Sequence, residues 1–310
     1  MTATTKISYA QALGEAIRME MHRNPRVVCL AADGAASRPP ITADLRTAFG
    51  ADRIFQLEAN VRPISVAAGM AARGLRVICE TRAAQLGPEA LAPLSELDPD
   101  GEGSIVLRVP DGGPELSDAV LASVEGRLLD TPHLTVIAPG TPADAKGMLA
   151  GSIRGLGSHC VIEPEPLYAT VGDVPEGAHL VEAGSAVVEA RGERPRVSVI
   201  AYGLGARFAD RALDLARSDA ELIDLRSIRP LDREAIAGSV GRTGKVAVIE
   251  PQGSSRVAAE VAAVLLSDAF EYLDGPLKRI ELPPAGHPDD DVDAGIATAL
   301  AEQVDELAEY

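Results

Sequence analysis

The stretch LTVIAPGTPADAKGMLAGSIRGLGSHCVIE, residues 134–163, decides the fold. It opens with an apolar run, Leu134–Ala138, passes through a turn into a helical pattern, Pro142–Arg154, and closes with a second apolar run, Cys160–Glu163. Thr141 can cap the helix that follows it, because threonine is favoured at the N-cap and proline at the first helical position. A strand, a helix and a strand in this order predict a crossover unit in a mainly parallel sheet.

The same alternation extends in both directions along the chain. The first helix is expected over Ile7–His22, with Ser8 as a plausible N-cap. Between Pro164 and Arg194 the composition shifts to Pro, Gly and Glu, which favours a linker with some antiparallel pairing. The alternation then resumes, so the fold class is α/β with two domains, at residues 1–185 and 186–310. Strands of the second domain are expected near 197–202, 221–224, 245–250 and 277–282.

Composition excludes several classes of partner. The chain carries 29 basic and 46 acidic residues, a net charge of −17, which disfavours nucleic acid and anionic lipid. No apolar run approaches membrane-spanning length. The three cysteines, Cys29, Cys79 and Cys160, lie in separate strand-like runs, which favours reduced core thiols and a cytoplasmic protein.

Common site motifs are absent from the sequence. There is no phosphate-binding loop of the Gly-x-x-x-x-Gly-Lys-Ser/Thr type, no complete Gly-x-Gly-x-x-Gly and no Gly-x-Ser-x-Gly. The five histidines lack metal-pair spacing, so no metal site is expected. The acidic run 289–291 is expected to be a solvated turn in which Asp291 caps the last helix.

Several segments together resemble one family. They are SYAQAL at 8–13, GMAARGLR at 69–76, APGTPADAKG at 138–147, IEPEPLY at 162–168, VIAYG at 199–203 and IDLRSIRPLD at 223–232. In order and nearly in spacing they are similar to the beta subunits of pyruvate and branched-chain 2-oxo acid dehydrogenases, in the transketolase superfamily. The resemblance implies a pyrimidine-binding-like parallel sheet followed by a transketolase C-terminal-like sheet.

The resemblance also implies a cofactor and a partner. Family members use thiamine diphosphate, whose diphosphate and Mg²⁺ are held by a Gly-Asp-Gly motif of an alpha-type subunit, and the beta subunit supplies the aminopyrimidine half of the site. No Gly-Asp-Gly occurs here, which predicts an alpha-type partner. We therefore expect a homodimer or a heterotetramer, in which the small-residue helix expected over Pro63–Arg73 contributes to the contact.

The catalytic carboxylate of the family is displaced in this chain. The family places a glutamate on the aminopyrimidine ring, nine residues before the glycine that corresponds to Gly69, and counting back gives Asn60. An amide can form a hydrogen bond but cannot relay the proton. Glu58 lies two residues away, so either Glu58 or Asn60 is the candidate ring contact.

Two further parts of the half-site depart from the family. An aromatic cluster that packs against the pyrimidine aligns with residues 83–88, where Ala83 and Leu86 stand in place of rings. The histidine that faces the reacting carbon aligns with Val120.

Two hypotheses follow from these departures. In the first, the chain is the beta-type subunit of a two-component 2-oxo acid decarboxylase/dehydrogenase or transketolase-like enzyme with a divergent site. In the second, it is a pseudoenzyme, a structural or regulatory partner of an alpha-type subunit. Family analogy favours the first hypothesis and the residue-level departures favour the second.

Overall fold

The structure, a computed structural model, describes residues 3–32, 41, 43–58, 61–97, 101–111, 124–252, 254–283 and 294–310. The chain divides into two compact units, Met1–Ala183 and Gly184–Tyr310. Each unit contains a sheet covered by helices, and the α/β fold class expected from the sequence is confirmed.

Parallel strands form the main sheet of the first unit. The strands of this unit are β1 (Thr4–Ser8), β2 (Val27–Ala32), β3 (Ile54–Leu57), β4 (Arg76–Glu80), β5 (Ser104–Asp111), β6 (Leu134–Ile137), β7 (Gly157–Pro164) and β8 (Val171–Pro175). Within the unit the order is β6-β7-β5-β4-β2-β3, and every neighbouring pair is parallel. Their carboxyl ends therefore meet at one edge, where α/β proteins place their sites.

Helices and short turns connect these strands. The helices are α1 (Tyr9–Arg23), α2 (Ala43–Phe49), α3 (Pro63–Ala71), α4 (Pro88–Ser95), α5 (Val124–Leu129) and α6 (Pro142–Arg154), and 3-10 turns occupy Ala83–Gln85 and Glu165–Leu167. Thr141 caps α6 as expected, since its side chain accepts a hydrogen bond from the backbone N–H of Asp144 at 3.1 Å.

A two-stranded antiparallel ribbon, β1 with β8, lies outside the main sheet. The first helix was expected from Ile7, but residues 4–8 form β1 and the helix begins at Tyr9. The reason is the partner strand: Ile7 pairs with Gly172 and Ser8 with Val171, so these residues are extended. Ser8 is the N-cap of α1, as expected, and forms a capping box with Gln11.

The second unit is a smaller sheet built on the same rules. The strands of this unit are β9 (Val187–Arg191), β10 (Val197–Ala201), β11 (Ala220–Asp224), β12 (Ser227–Arg229), β13 (Val246–Pro251) and β14 (Lys278–Leu282), and all but β12 belong to its sheet. Its helices are α7 (Gly203–Leu215), α8 (Arg233–Thr243), α9 (Arg256–Asp268) and α10 (Ala294–Glu309). The order is β14-β13-β10-β11-β9, with only β9 antiparallel among these five, so the expected antiparallel pairing near the linker is confirmed.

The core of the second unit shows that helices cover both faces. Val197, Val199 and Ala201 of β10 pack in one apolar cluster with residues of α7 and α10. Ser198, which points to the opposite face because side chains alternate along a strand, forms a hydrogen bond with Ser239 of α8.

Two general expectations can be compared with the described ranges. All three cysteines are free and buried, as expected. None of the helices in those ranges is both long and apolar enough to cross a bilayer. The expected cap at Asp291 lies outside the described residues.

Candidate functional site

A buried ion cluster joins three strands near the carboxyl edge of the first sheet. We use this name for Glu80 at the end of β4, Arg108 on β5, Glu163 on β7 and Tyr168. Arg108 and Glu163 are 0% exposed. The Arg108 guanidinium donates to both carboxylate oxygens of Glu163 at 2.7 Å and to Oε2 of Glu80 at 3.0 Å. Such a bidentate pair fixes both side chains in one geometry.

The protonation states of the cluster follow from its charges. Burial alone would lower the pKa of Arg108, but the carboxylates of Glu163 and Glu80 outweigh it and raise that pKa above its ordinary value. Burial and the charge of Glu163 raise the pKa of Tyr168, whose hydroxyl donates to Glu163 Oε2 at 2.8 Å. The ring of Tyr9 stacks on the ring of Tyr168, and the Tyr9 hydroxyl donates a hydrogen bond to the carbonyl of Pro139. The cluster therefore holds a permanent cation and a phenol that stays protonated.

Sequence reasoning missed the buried ion cluster. Its signal was present: Arg108 interrupts the apolar run 105–109, and a charge on a strand buried on both faces requires a partner. Glu163 closes the apolar run that begins at Cys160 on the neighbouring strand and is the matching carboxylate.

Glu58 is the one candidate ring contact that the structure describes. It follows the last residue of β3, its side chain is exposed, and its carbonyl accepts a hydrogen bond from the N–H of Val61 at 3.0 Å. Asn60 and Val120 lie outside the described residues. Whether Glu58 or Asn60 contacts a ring remains a prediction.

Ala83 and Leu86 are both 0% exposed. They belong to the turn that follows β4, where Gln85 Oε1 accepts hydrogen bonds from the N–H of Arg82 and from Thr81 Oγ1, each at 3.1 Å. The two positions that align with the family's rings thus pack inside the first unit.

These residues do not fit the pyrimidine half of thiamine diphosphate. A stacking surface needs an accessible ring or apolar face, and Ala83 and Leu86 offer neither. Among the described residues there is also no group of three or more His, Cys, Asp or Glu side chains that could hold a metal ion. We derive no catalytic step through the cofactor for this reason.

Buried carboxylates of the second unit serve helix ends and connections. Glu250, at the end of β13, accepts from the N–H of Ala258 in the first turn of α9 at 3.2 Å. Asp305 of α10 accepts from the N–H groups of Arg217 and Ser218. These hydrogen bonds outweigh burial and hold the pKa of Asp305 below its usual range. Both roles are structural.

Comparisons with known proteins connect this architecture to a family. Residues 184–306 match the sequence profile of the transketolase C-terminal domain. The 2-oxoisovalerate dehydrogenase subunit beta of Bacillus subtilis (strain 168) is 32% identical over 296 residues, which cover 89% of each chain. The pyruvate dehydrogenase E1 component subunit beta of the same organism is 30% identical over 305 residues, covering 91% of this chain and 92% of the relative.

A solved structure supports the same assignment at the level of fold. A split-gene transketolase, described as an inactive beta4 tetramer, superposes with a TM-score of 0.71 at 21% identity, covering 97% of this chain and 99% of that one. The similarity to the two beta subunits over 89–92% of the chains carries the assignment further. The chain belongs to the family of beta subunits of 2-oxo acid dehydrogenases, the transketolase-like E1 components.

Proposed function

We propose that the chain works as the beta-type half of a two-component enzyme that acts on a 2-oxo acid with thiamine diphosphate, and that its pyrimidine half diverges from the family's at Ala83 and Leu86. An alpha-type subunit holds the diphosphate and Mg²⁺. The observation that carries this proposal is the similarity to 2-oxoisovalerate dehydrogenase subunit beta along 89% of both chains. Pyruvate and 2-oxoisovalerate, which name the relatives, are the first substrates to test.

The proposal assigns each unit a part. Residues 1–185 form the pyrimidine-binding-like domain and residues 186–310 the transketolase C-terminal-like domain, whose profile match begins at residue 184. The buried ion cluster supports the first part, because it ties the carboxyl ends of β4, β5 and β7 into one rigid edge. Three free, buried thiols support a reducing compartment, and we place the protein in the cytoplasm.

The assembly proposed is a homodimer or a heterotetramer with the alpha-type subunit. Helix α3 supports a close contact, because Gly69 is exposed and, apart from the helix's own nearby backbone and the two chain neighbours, no described residue places a heavy atom within 4 Å of the position a Cβ would take there. Light scattering of the isolated chain at micromolar concentration should give at least twice the 32.2 kDa monomer mass. A monomer alone would contradict this proposal.

A non-catalytic partner is the second candidate function. The observation that favours it is the burial of Ala83 and Leu86, which leaves no ring platform where the family has one. Val120 and Asn60, in place of the family's histidine and glutamate, point the same way. In this case the chain would organise an alpha-type subunit without contributing to chemistry.

One experiment separates the two functions. The chain is expressed alone and together with an alpha-type subunit, and thiamine diphosphate binding in Mg²⁺ buffer is measured by calorimetry. The isolated chain should bind weakly or not at all. Binding and 2-oxo acid turnover in the pair support the enzyme, whereas no binding in either state supports the non-catalytic partner.

The pair also tests Glu58. If the pair is an active enzyme, Glu58→Gln should abolish its turnover while leaving its assembly intact, because an amide cannot take up or release a proton as a carboxylate does. Glu193→Gln is the matched control, since Glu193 is an exposed carboxylate of the second unit without a hydrogen bond or ion pair to the described residues. Unchanged turnover in Glu58→Gln would remove Glu58 from the proposed chemistry.

A further inference from the structure

A cavity of ≈ 210 Å³ opens in the first unit beside the β1–β8 ribbon. Its walls come from the ribbon, from α1 and from the first half of α6. It is smaller than the roughly 300–1,000 Å³ of drug-sized pockets, so it matches a small metabolite. Its lining includes the apolar residues Ile7, Met19 and Val174, which we call the apolar wall. The remaining walls carry charges of both signs.

Lys146 is the anchor of the charged side. Its side chain is 3% exposed, and Nζ donates to Glu15 Oε2 at 3.1 Å and to the carbonyl of Pro175 at 2.8 Å. An ammonium carries three N–H donors. The third has no partner among the residues the structure describes. A buried lysine held in place with one donor to spare is suited to receive an anionic group.

The other charged groups lie around the same cavity. Arg18 follows Glu15 by three residues on α1, so both side chains lie on one helix face, and its guanidinium forms no ion pair within the described part of the chain. Glu176 accepts from Thr5 Oγ1 at 2.7 Å through Oε1. The cavity thus offers two cations, Lys146 and Arg18, and two carboxylates, Glu15 and Glu176, with a formal charge of zero.

We propose that this cavity binds a small aliphatic α-amino acid. Lys146 and Arg18 receive the carboxylate, Glu15 and Glu176 receive the ammonium, and the aliphatic side chain packs on the apolar wall. A phosphate would bring two negative charges against two carboxylates, and a simple amine or fatty acid would leave one pair of charges without a partner. A zwitterion matches both the neutral sum and the separate signs.

Binding would connect the ribbon to α1 and α6. Glu176 and Val174 belong to the ribbon side of the cavity, Arg18 to α1 and Lys146 to α6. A ligand that contacts all three stabilises the first unit by mass action. The site therefore gives the beta-type chain a means of responding to an amino acid, independently of any cofactor.

Calorimetry on the full chain with L-leucine tests the proposal. We expect one L-leucine per chain in the millimolar range or tighter. 4-Methylpentanoate lacks the ammonium and 3-methylbutylamine lacks the carboxylate, so each should bind at least about tenfold more weakly. Absence of L-leucine binding at millimolar concentrations, or equal affinity for the three compounds, would overturn the proposal.

Variants locate the binding. Arg18→Ala should weaken L-leucine binding by about tenfold or more without affecting the fold, because Arg18 is exposed and forms no ion pair with the residues that the structure describes. Arg194→Ala, the same change at an exposed arginine of the second unit, should bind as the unaltered chain does. Binding that survives Arg18→Ala unchanged would place the ligand elsewhere and refute the site. No arm contains thiamine diphosphate or a partner, so failure here leaves the proposed function untouched.

Discussion

Replacing Arg108 by methionine should lower the free energy of unfolding of the first unit far more than the same replacement of an exposed arginine does. Methionine keeps most of the length and apolar stem but removes three charge-assisted hydrogen bonds, two to Glu163 at 2.7 Å and one to Glu80 at 3.0 Å. Two carboxylates that are 0% and 3% exposed then remain without their cation. Breaking a buried ion pair in this way costs about 3–5 kcal/mol.

Urea unfolding followed by far-UV circular dichroism measures this loss. With a slope of about 2 kcal/mol per molar urea, a loss of about 4 kcal/mol lowers the midpoint by about 2 M. Arg108→Lys retains the charge but not the bidentate geometry, so it should fall between the unaltered chain and Arg108→Met. The double variant Arg108→Met with Glu163→Gln should lose less than the two single losses added, because the residues are in contact.

The control for this prediction is a surface pair of the same unit. Arg26 Nη1 lies 2.7 Å from Glu102 Oε2, but the two side chains are 57% and 78% exposed. Arg26→Met should therefore cost no more than about 1 kcal/mol. If Arg108→Met lowers the midpoint no more than Arg26→Met does, the buried ion cluster does not hold the edge of the sheet together and the reasoning is refuted.

Three other predictions concern burial and capping. Burial raises the pKa of Cys29 and of Cys79 to about 12. A disulfide reagent at pH 8 should therefore label no thiol of the native chain, and should label all three cysteines after denaturation. Labelling of the native chain would contradict the burial. Burial lowers the pKa of His159 from 6.5 to about 4. As the pH falls below 6.5, this histidine is protonated in the unfolded chain before it is protonated in the folded one, which favours unfolding. Up to about 3 kcal/mol of stability, present above pH 6.5, is therefore lost as the pH falls toward 4. His159→Asn should flatten that part of a curve of stability against pH. Thr141→Ala should cost about 1 kcal/mol in urea unfolding, because the N-cap of α6 is lost, and Thr141→Ser should restore most of it.

The alternation of apolar runs and helical patterns was sufficient to predict the parallel sheets. Val197–Ala201 and Val246–Pro251 are almost fully buried strands, and a continuous apolar run bounded by turns is the signature of such strands. Ribbon strand β1 could not be predicted in the same way. Its residues 4–8 are polar or half exposed. They are extended only because they pair with Val171–Pro175, a strand far away in the sequence.

The candidate site was harder to predict than the fold. Counting residues between matched segments shows which residues of this chain correspond to the family's site residues, but it does not show which of their side chains reach solvent. Counting along the chain shows that Ala83 stands where the family has a ring, whereas its 0% exposure depends on how the turn packs. The contact of Lys146 with Glu15, 131 residues apart, also depends on the packing of α6 against α1 and has no local signal.

The turn after β4 explains why restoring single family residues should not recreate a pyrimidine site. A phenylalanine at position 83 would need space where alanine already has no exposed surface, and overpacking of a core costs about 1–3 kcal/mol. Gln85 also fixes the local conformation of the turn, because its Oε1 accepts hydrogen bonds from the N–H of Arg82 and from Thr81 Oγ1. The change at this position is therefore part of the core of the first unit and is not a missing side chain at the edge of an open cavity. If the chain is the non-catalytic partner, Asn60→Glu, which restores the family's carboxylate alone, should for the same reason recover no activity with an alpha-type subunit. A gain of turnover in that variant would show that the turn does not limit the chemistry.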